Sequence, residues 1–348
     1  MVSRTTHLRN VMKIYGVLII GCGHIGLEHL NEIYYRDNIK IVATVDTDIE
    51  AARVAARRAG CDKYSTDYRD FLKLDEVDIV IIATYTSSHL DILKDALSHK
   101  KHVLCEKPIA VTLAEGEEFI RVAKSSQNKV LIAHILRHNA AYNLMRKLIL
   151  GGEIGEVKVI RMVQNHHTLK WERYQRLMED CSPTVDCGVH YYDVAEWITG
   201  AQITEVAGFG IKMQGDAPRE NYTMVNFKMD NGCIGYYEAG WGQTIRSANV
   251  KEFIGTEGRI TLELRDRRVN DNEEGDLITV YKKKSNTYET LNVKGRYKNM
   301  YAQISTLIDM IENGGDGNPT LDEAFRSFKI SVLAEESIKT GKVKPVKI

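Results

Sequence analysis

Residues 13–26 read Lys13-Ile14-Tyr15-Gly16-Val17-Leu18-Ile19-Ile20-Gly21-Cys22-Gly23-His24-Ile25-Gly26. An apolar run of strand type passes straight into a Gly-x-Gly-x-x-Gly loop. Leu27, Leu30, Ile33 and Tyr34 then recur at helical spacing. Strand, glycine loop and helix in that order form the setting in which such a loop cradles a dinucleotide. Gly21 permits the tight turn, Gly23 lets the backbone approach a pyrophosphate, and Gly26 lets helix pack on strand. The helix start offers free N–H groups and a positive dipole end to phosphate. Gly21, Gly23, His24, Ile25 and Gly26 are therefore expected at a cofactor.

Working outward, a second strand over 40–45 ends at Asp46. This is about the distance past the glycines at which an acid meets the adenosine ribose. A carboxylate there accepts from a 2′-hydroxyl and repels a 2′-phosphate, and no arginine stands beside it. NAD is expected, with NADP the weaker fit. Asp46 could also cap the alanine-rich helix 49–59. Strands over 77–83, 102–105 and 130–134 alternate with helices over 67–74, 90–99 and 113–125. That alternation implies a parallel sheet, whose ligand side is the C-terminal ends of its strands. Thr84, Tyr85 and His89, after one strand, fall on that side. So does Val103-Leu104-Cys105-Glu106-Lys107-Pro108. Proline pushes its predecessor into extended geometry, so Lys107 should stand at a strand end, with Glu106 beside it. An exposed turn lysine is the plain alternative.

The second half changes character. A helix over 137–150 precedes a strand over 157–164. A polar and aromatic stretch, 165–176, then carries His166, His167, Trp171 and Tyr174. It suits a sugar or polyol, or else a solvated loop. If 185–197 is one helix, Asp186, His190 and Asp193 share a stripe, a base between two carboxylates. A capping aspartate and a satisfied core histidine are the alternative. Cys181, Cys187 and His190, with His166 or His167, offer soft ligands, but the spacing fits no compact zinc pattern and no metal is expected. Residues 203–300 read as strands joined by short turns, with an exposed loop over 265–276. Helices follow over 300–313 and 321–340.

Composition narrows the function classes. The 348 residues suit two domains, and 47 basic side chains balance 47 acidic ones. A chain without basic excess is a poor general binder of nucleic acid or membrane surfaces. No apolar run approaches the length of a membrane span. Residues 1–12 lack the apolar core of a secretion signal. With six scattered cysteines, a cytoplasmic chain with reduced thiols is expected.

The glycine loop, the Ala-Thr turn with His89, and Lys101-His102-Val103-Leu104-Cys105-Glu106-Lys107-Pro108 resemble the Gfo/Idh/MocA family, which includes glucose–fructose oxidoreductase and inositol dehydrogenase. The family turn is usually proline-asparagine where this chain has Tyr85-Thr86. Asp186 and His190 match the family's Asp-x-x-x-His pair. The resemblance implies an α/β Rossmann domain over 13–136 and an α+β domain over 137–348 with a large, mostly antiparallel open sheet. The helix over 320–341 could pack back onto the first domain. It implies that Lys107, Asp186 and His190 act together on a substrate hydroxyl, His190 as base, Lys107 holding the oxygen and Asp186 orienting both. Thr84, Tyr85, His89, Glu106 and Lys107 would border the nicotinamide. Arg137, His166, Trp171, Tyr174, Tyr191 and Trp241 are candidate substrate contacts. The expected activity is NAD-dependent oxidation of a sugar, inositol or related polyol. Two alternatives are a glycosidase working through transient oxidation and a non-catalytic sensor of NAD and a metabolite. A homodimer or homotetramer through the C-terminal sheet is also implied.

Overall fold

The computed structural model describes residues 13–264, 275–295 and 298–347. The arm expected over 1–12 and most of the loop expected over 265–276 lie outside them. Strands β1 (Tyr15–Ile20), β2 (Ile39–Val45), β3 (Tyr64–Ser65), β4 (Ile79–Ile82), β5 (His102–Cys105) and β6 (Val130–Ile132) form one parallel sheet in the order β3-β2-β1-β4-β5-β6. This is the dinucleotide-binding order, with the topological switch between β1 and β4. The strands are apolar on both faces because helices cover both. On one face α1 (His24–Ile33) and α2 (Ile49–Ala59) pack on Val17, Ile19, Ile79 and Ile81. On the other, α3 (Arg69–Leu72), α4 (His89–Ser98) and α5 (Leu113–Ser125) pack on Leu18, Ile20, Val80 and Ile82.

After α6 (Ala140–Leu150) the chain builds a second sheet from β7 (Val157–His167), with α7 (Trp171–Asp180), α8 (Pro183–Asp186) and α9 (Gly188–Thr199) following it. The other strands are β8 (Ile203–Ile211), β9 (Tyr222–Met229), β10 (Ile234–Gly242), β11 (Ala248–Gly255), β12 (Gly258–Glu263), β13 (Asp276–Lys282) and β14 (Thr287–Val293). The order is β14-β13-β12-β11-β7-β10-β9-β8-β15, where β15 (Lys344–Pro345) closes the edge. Every pairing is antiparallel except β10 with β7. The expected fold class is thus the observed one.

Two differences from expectation bear on the site. β7 runs on through His167 because β10 pairs with it as far as Gly242 opposite His167. Only 168–170 of the polar and aromatic stretch 165–176 lies between elements, and α7 begins at Trp171. The helix expected over 185–197 is interrupted at Cys187. The Asp186 carbonyl is taken by the Lys107 ammonium, and the His190 N–H bonds the Cys187 carbonyl at 3.1 Å instead.

Helix α10 (Met300–Asn313) returns to the first sheet, where Ile304 and Leu307 join the face covered by α1. Helix α11 (Leu321–Thr340) is shared. Ala324 and Phe328 enter the first domain's other face, while Ile330 and Ala334 enter the core of the second. Among the described residues no helix is long and apolar enough to cross a membrane.

Candidate active site

The glycine loop has the geometry its residues require. Gly21 has φ +94°, and a Cβ there would meet the Ala83 carbonyl oxygen at 2.4 Å. A Cβ on Gly26 would come within 1.8 Å of the Gly21 oxygen, so helix and loop touch backbone to backbone. At Gly23 a Cβ would meet nothing within 4 Å. This open side is where a phosphate can approach. No side chain caps the first N–H groups of α1 and no acid sits in its first turn, so the positive end of the helix is free. His24 stands exposed there, and Ile25 packs toward the second core. Asp46 receives the Cys22 N–H at 2.7 Å and the Asp48 N–H at 2.9 Å. It therefore fixes the loop, while the cap of α2 is Asp48 rather than Asp46. These residues fit a bound dinucleotide.

Lys107 follows β5, and Asp186 ends α8. The Lys107 ammonium donates to the Asp186 carboxylate at 3.0 Å and to its carbonyl at 2.9 Å. Burial would strip the amine of its proton, but the Asp186 and Glu106 carboxylates hold it well above the usual lysine range. Lys107 is thus a fixed cation. The Cys187 thiol donates to the other Asp186 oxygen at 3.5 Å. His190, in the first turn of α9, is half-buried. Burial, then the charge of Lys107, pushes its imidazole well below the ordinary histidine range. It is a neutral ring beside a cation, with one ring nitrogen free to accept a hydrogen bond.

Glu106 lies behind this pair. Burial would raise it, yet the His29 hydrogen bond at 2.8 Å and nearby cations keep it below the usual carboxylate range. His89 is 1 % exposed, with Nδ1 2.9 Å from the Pro108 carbonyl and Nε2 3.2 Å from that of Thr84. It braces two loops from behind rather than facing a ligand. Thr84 bonds Ser88, and Tyr85 is exposed under the Arg176 guanidinium.

The candidate substrate contacts divide. His166 faces Trp241 across the β7–β10 register, and Tyr174 packs against both rings. Burial lowers His166, while Asp186 and Lys107 both act on it. These aromatics form a wall beside the amine and carboxylate. Three others are drawn elsewhere. Arg137 is 4 % exposed and bidentate to Asp193 at 2.9 and 2.7 Å. Trp171 is buried and donates to Asp216 at 2.9 Å. Tyr191, on α9, stacks on Tyr237 of β10. Asp193 faces Arg137 and His134 rather than His190. The break at Cys187 parts Asp186 from the helix that carries His190 and Asp193. Among the described residues, the cysteines and histidines here form no metal-holding cluster.

Residue spacing did not single out three further groups. His134 lies against His190, with ring centroids 5.7 Å apart. Lys298, half-buried before α10, acts on His24, Glu106 and His190. Lys251 is fully buried on β11, 3.1 Å from the Tyr191 hydroxyl, and burial pulls its amine far below the lysine range. Only Lys251 left a trace in the sequence, at an inward position between Asn249 and Phe253.

Two family models match the chain. One, described as an oxidoreductase family with an NAD-binding Rossmann fold, covers residues 15–134. The other, the GFO/IDH/MocA C-terminal domain, covers 142–261. The chain belongs to the GFO/IDH/MocA family. This GFO/IDH/MocA protein is 25% identical over 338 residues to scyllo-inositol 2-dehydrogenase (NAD(+)) of Bacillus subtilis strain 168, covering 93% of this chain and 94% of the relative. Its fold also matches a putative myo-inositol dehydrogenase from Sinorhizobium meliloti 1021 (TM-score 0.80, 21% identity, 96% of this chain and 100% of the other). A levoglucosan dehydrogenase solved with NADH and levoglucosan matches as well (TM-score 0.83, 20% identity, 96% and 100%). The chain is thus an oxidoreductase with an NAD-binding Rossmann domain.

Proposed function

We propose that this protein oxidises a hydroxyl of a sugar, inositol or related polyol with NAD, and that Lys107, Asp186 and His190 carry the proton chemistry. The carrying observation is the Lys107–Asp186 contact, made between residues 79 positions apart, just past the C-terminal end of β5 on the ligand side of the parallel sheet. Bound NAD supplies the hydride acceptor. The chain's own residues do the rest. Lys107, locked as a cation, holds the substrate oxygen and stabilises the negative charge that grows on it. His190, kept neutral, takes the hydroxyl proton. Asp186 anchors the ammonium. The aromatic wall of His166, Tyr174 and Trp241 suits the faces and donors of a polyhydroxylated ring. The names of the relatives, inositol and levoglucosan dehydrogenases, support that substrate class.

A screen of the purified protein against polyols and sugars, read as NADH absorbance, tests this reading. At least one should support turnover, and His190→Ala should cut kcat by roughly 10²–10⁴-fold. Normal turnover by that variant, or no reaction across the screen, would sink the proposal.

We also infer that Asp46 selects NAD over NADP. Asp46→Asn keeps an acceptor for the Cys22 N–H and removes only the charge. Its kcat/KM ratio for NADP over NAD should rise by about tenfold, some 1.4 kcal/mol. An unchanged ratio would assign Asp46 to holding the loop alone.

The open face of the second sheet exposes Phe209, Ile211, Met224 and Ile234, with Phe209 paired to Met224 across β8 and β9. A grouped apolar face suits self-association, so we read it as the contact of a homodimer or homotetramer. We take residues 13–136 and 137–348 as the cofactor-binding and substrate-binding units.

A further inference from the structure

The buried groups behind His190 point to a second histidine in the proton chemistry. His134 follows β6 and is 1 % exposed. Its Nδ1 lies 3.3 Å from Asp193 Oδ2. The Asp193 carboxylate is clamped by Arg137. The His134 ring stands edge-on to that of His190, with 83° between planes. Both nitrogens of His134 and Nδ1 of His190 are shut from solvent without a well-formed hydrogen bond. Buried polar atoms left unpaired are costly, and two rings in contact can satisfy one another.

The protonation pattern follows from the carboxylate. Asp193 only accepts, so it favours hydrogen on Nδ1 of His134. With that hydrogen on Nδ1, the remaining ring nitrogen, Nε2, is the one that can present a lone pair to the His190 ring beside it. That lone pair favours hydrogen on Nδ1 of His190, which leaves Nε2 of His190 bare. We propose that His134 is a positioning residue that, tied to Asp193, holds His190 in the Nδ1–H tautomer and turns its free Nε2 to the substrate hydroxyl. The inference rests on His190 being the base. In the reaction the substrate O–H bond breaks and its proton goes to His190 Nε2. The C–H electron pair leaves with its hydrogen as hydride to NAD, and the alcohol becomes a carbonyl. The imidazolium so formed directs its Nδ1–H at His134 and, through it, at Asp193.

Nitrogen-15 spectra of the histidine rings in the full-length, NAD-loaded protein test the tautomers directly. At neutral pH both His134 and His190 should carry hydrogen on Nδ1 alone, assigned by the signals lost in His134→Gln and His190→Asn. Kinetics give a second readout. His134→Phe should lower kcat about 100-fold, with substrate KM and NAD affinity nearly unchanged. His134→Gln, which can donate to Asp193 and accept from His190, should restore most of that loss. An Nε2–H tautomer of His190 in the parent protein would overturn the proposal, and so would His134→Phe with full turnover. If His134→Phe does not fold, the spectra decide alone. Full turnover by His190→Ala would instead refute the reading of His190 as base, so the two failures are distinguishable.

Discussion

Lys107→Met is expected to reduce kcat by roughly 10³-fold or more while leaving NAD affinity close to that of the parent. Methionine keeps most of the apolar stem and removes the charge that would face the substrate oxygen. A fixed cation in a dry site is worth far more than one in water, and the Asp186 carboxylate and carbonyl hold this one at 3.0 and 2.9 Å. The glycine loop and Asp46 make no hydrogen bond to Lys107, so the cofactor should still bind. Turnover and NAD titration by protein fluorescence check the two halves. Turnover near the parent value would remove the ammonium from the mechanism. Equal loss of NAD binding would place Lys107 in cofactor binding instead.

Arg137→Met should act on stability rather than on substrate affinity. Arg137 and Asp193 are 4 % and 3 % exposed and joined by two hydrogen bonds. Removing the guanidinium leaves a buried carboxylate without its strongest partner, at a cost of roughly 3–5 kcal/mol. For a chain of this size the thermal midpoint should fall by about 5 °C. The substrate KM of the folded fraction should stay within about twofold, below the change that loss of one bound hydrogen bond brings. The pH dependence gives a second signature. Burial alone would raise Asp193, but His134 and Arg137 bring it from 3.8 down to about 2. A depressed carboxyl stabilises the fold above its unfolded value, and that contribution is lost as pH falls from about 4 to about 2. Much of this acid-sensitive component should be missing in Arg137→Met. A raised KM with an unchanged melting point would return Arg137 to the substrate.

The fold was legible in the sequence because its signals are local. The glycine loop needs particular backbone angles, and the alternation of strand and helix follows from apolar runs buried on both faces. Glu106-Lys107-Pro108 marked a strand end for the same reason. The far side of the site was less legible because its side chains are directed by tertiary partners. Helical spacing put Asp193 on the same turn of α9 as His190, but its carboxylate is taken by Arg137 and His134. Arg137 stood among the candidate substrate contacts, yet a buried carboxylate captures it. Trp171 met the same fate at Asp216. His134 gave no sign, because its meaning depends on a ring 56 residues away.

The sharing of α10 and α11 bears on biogenesis. The nucleotide half is made first, but both sides of its sheet stay partly bare until residues 304–328 have left the ribosome. That half cannot complete its interior during translation, and a nascent chain stalled before α11 presents apolar surface to whatever chaperone reaches it.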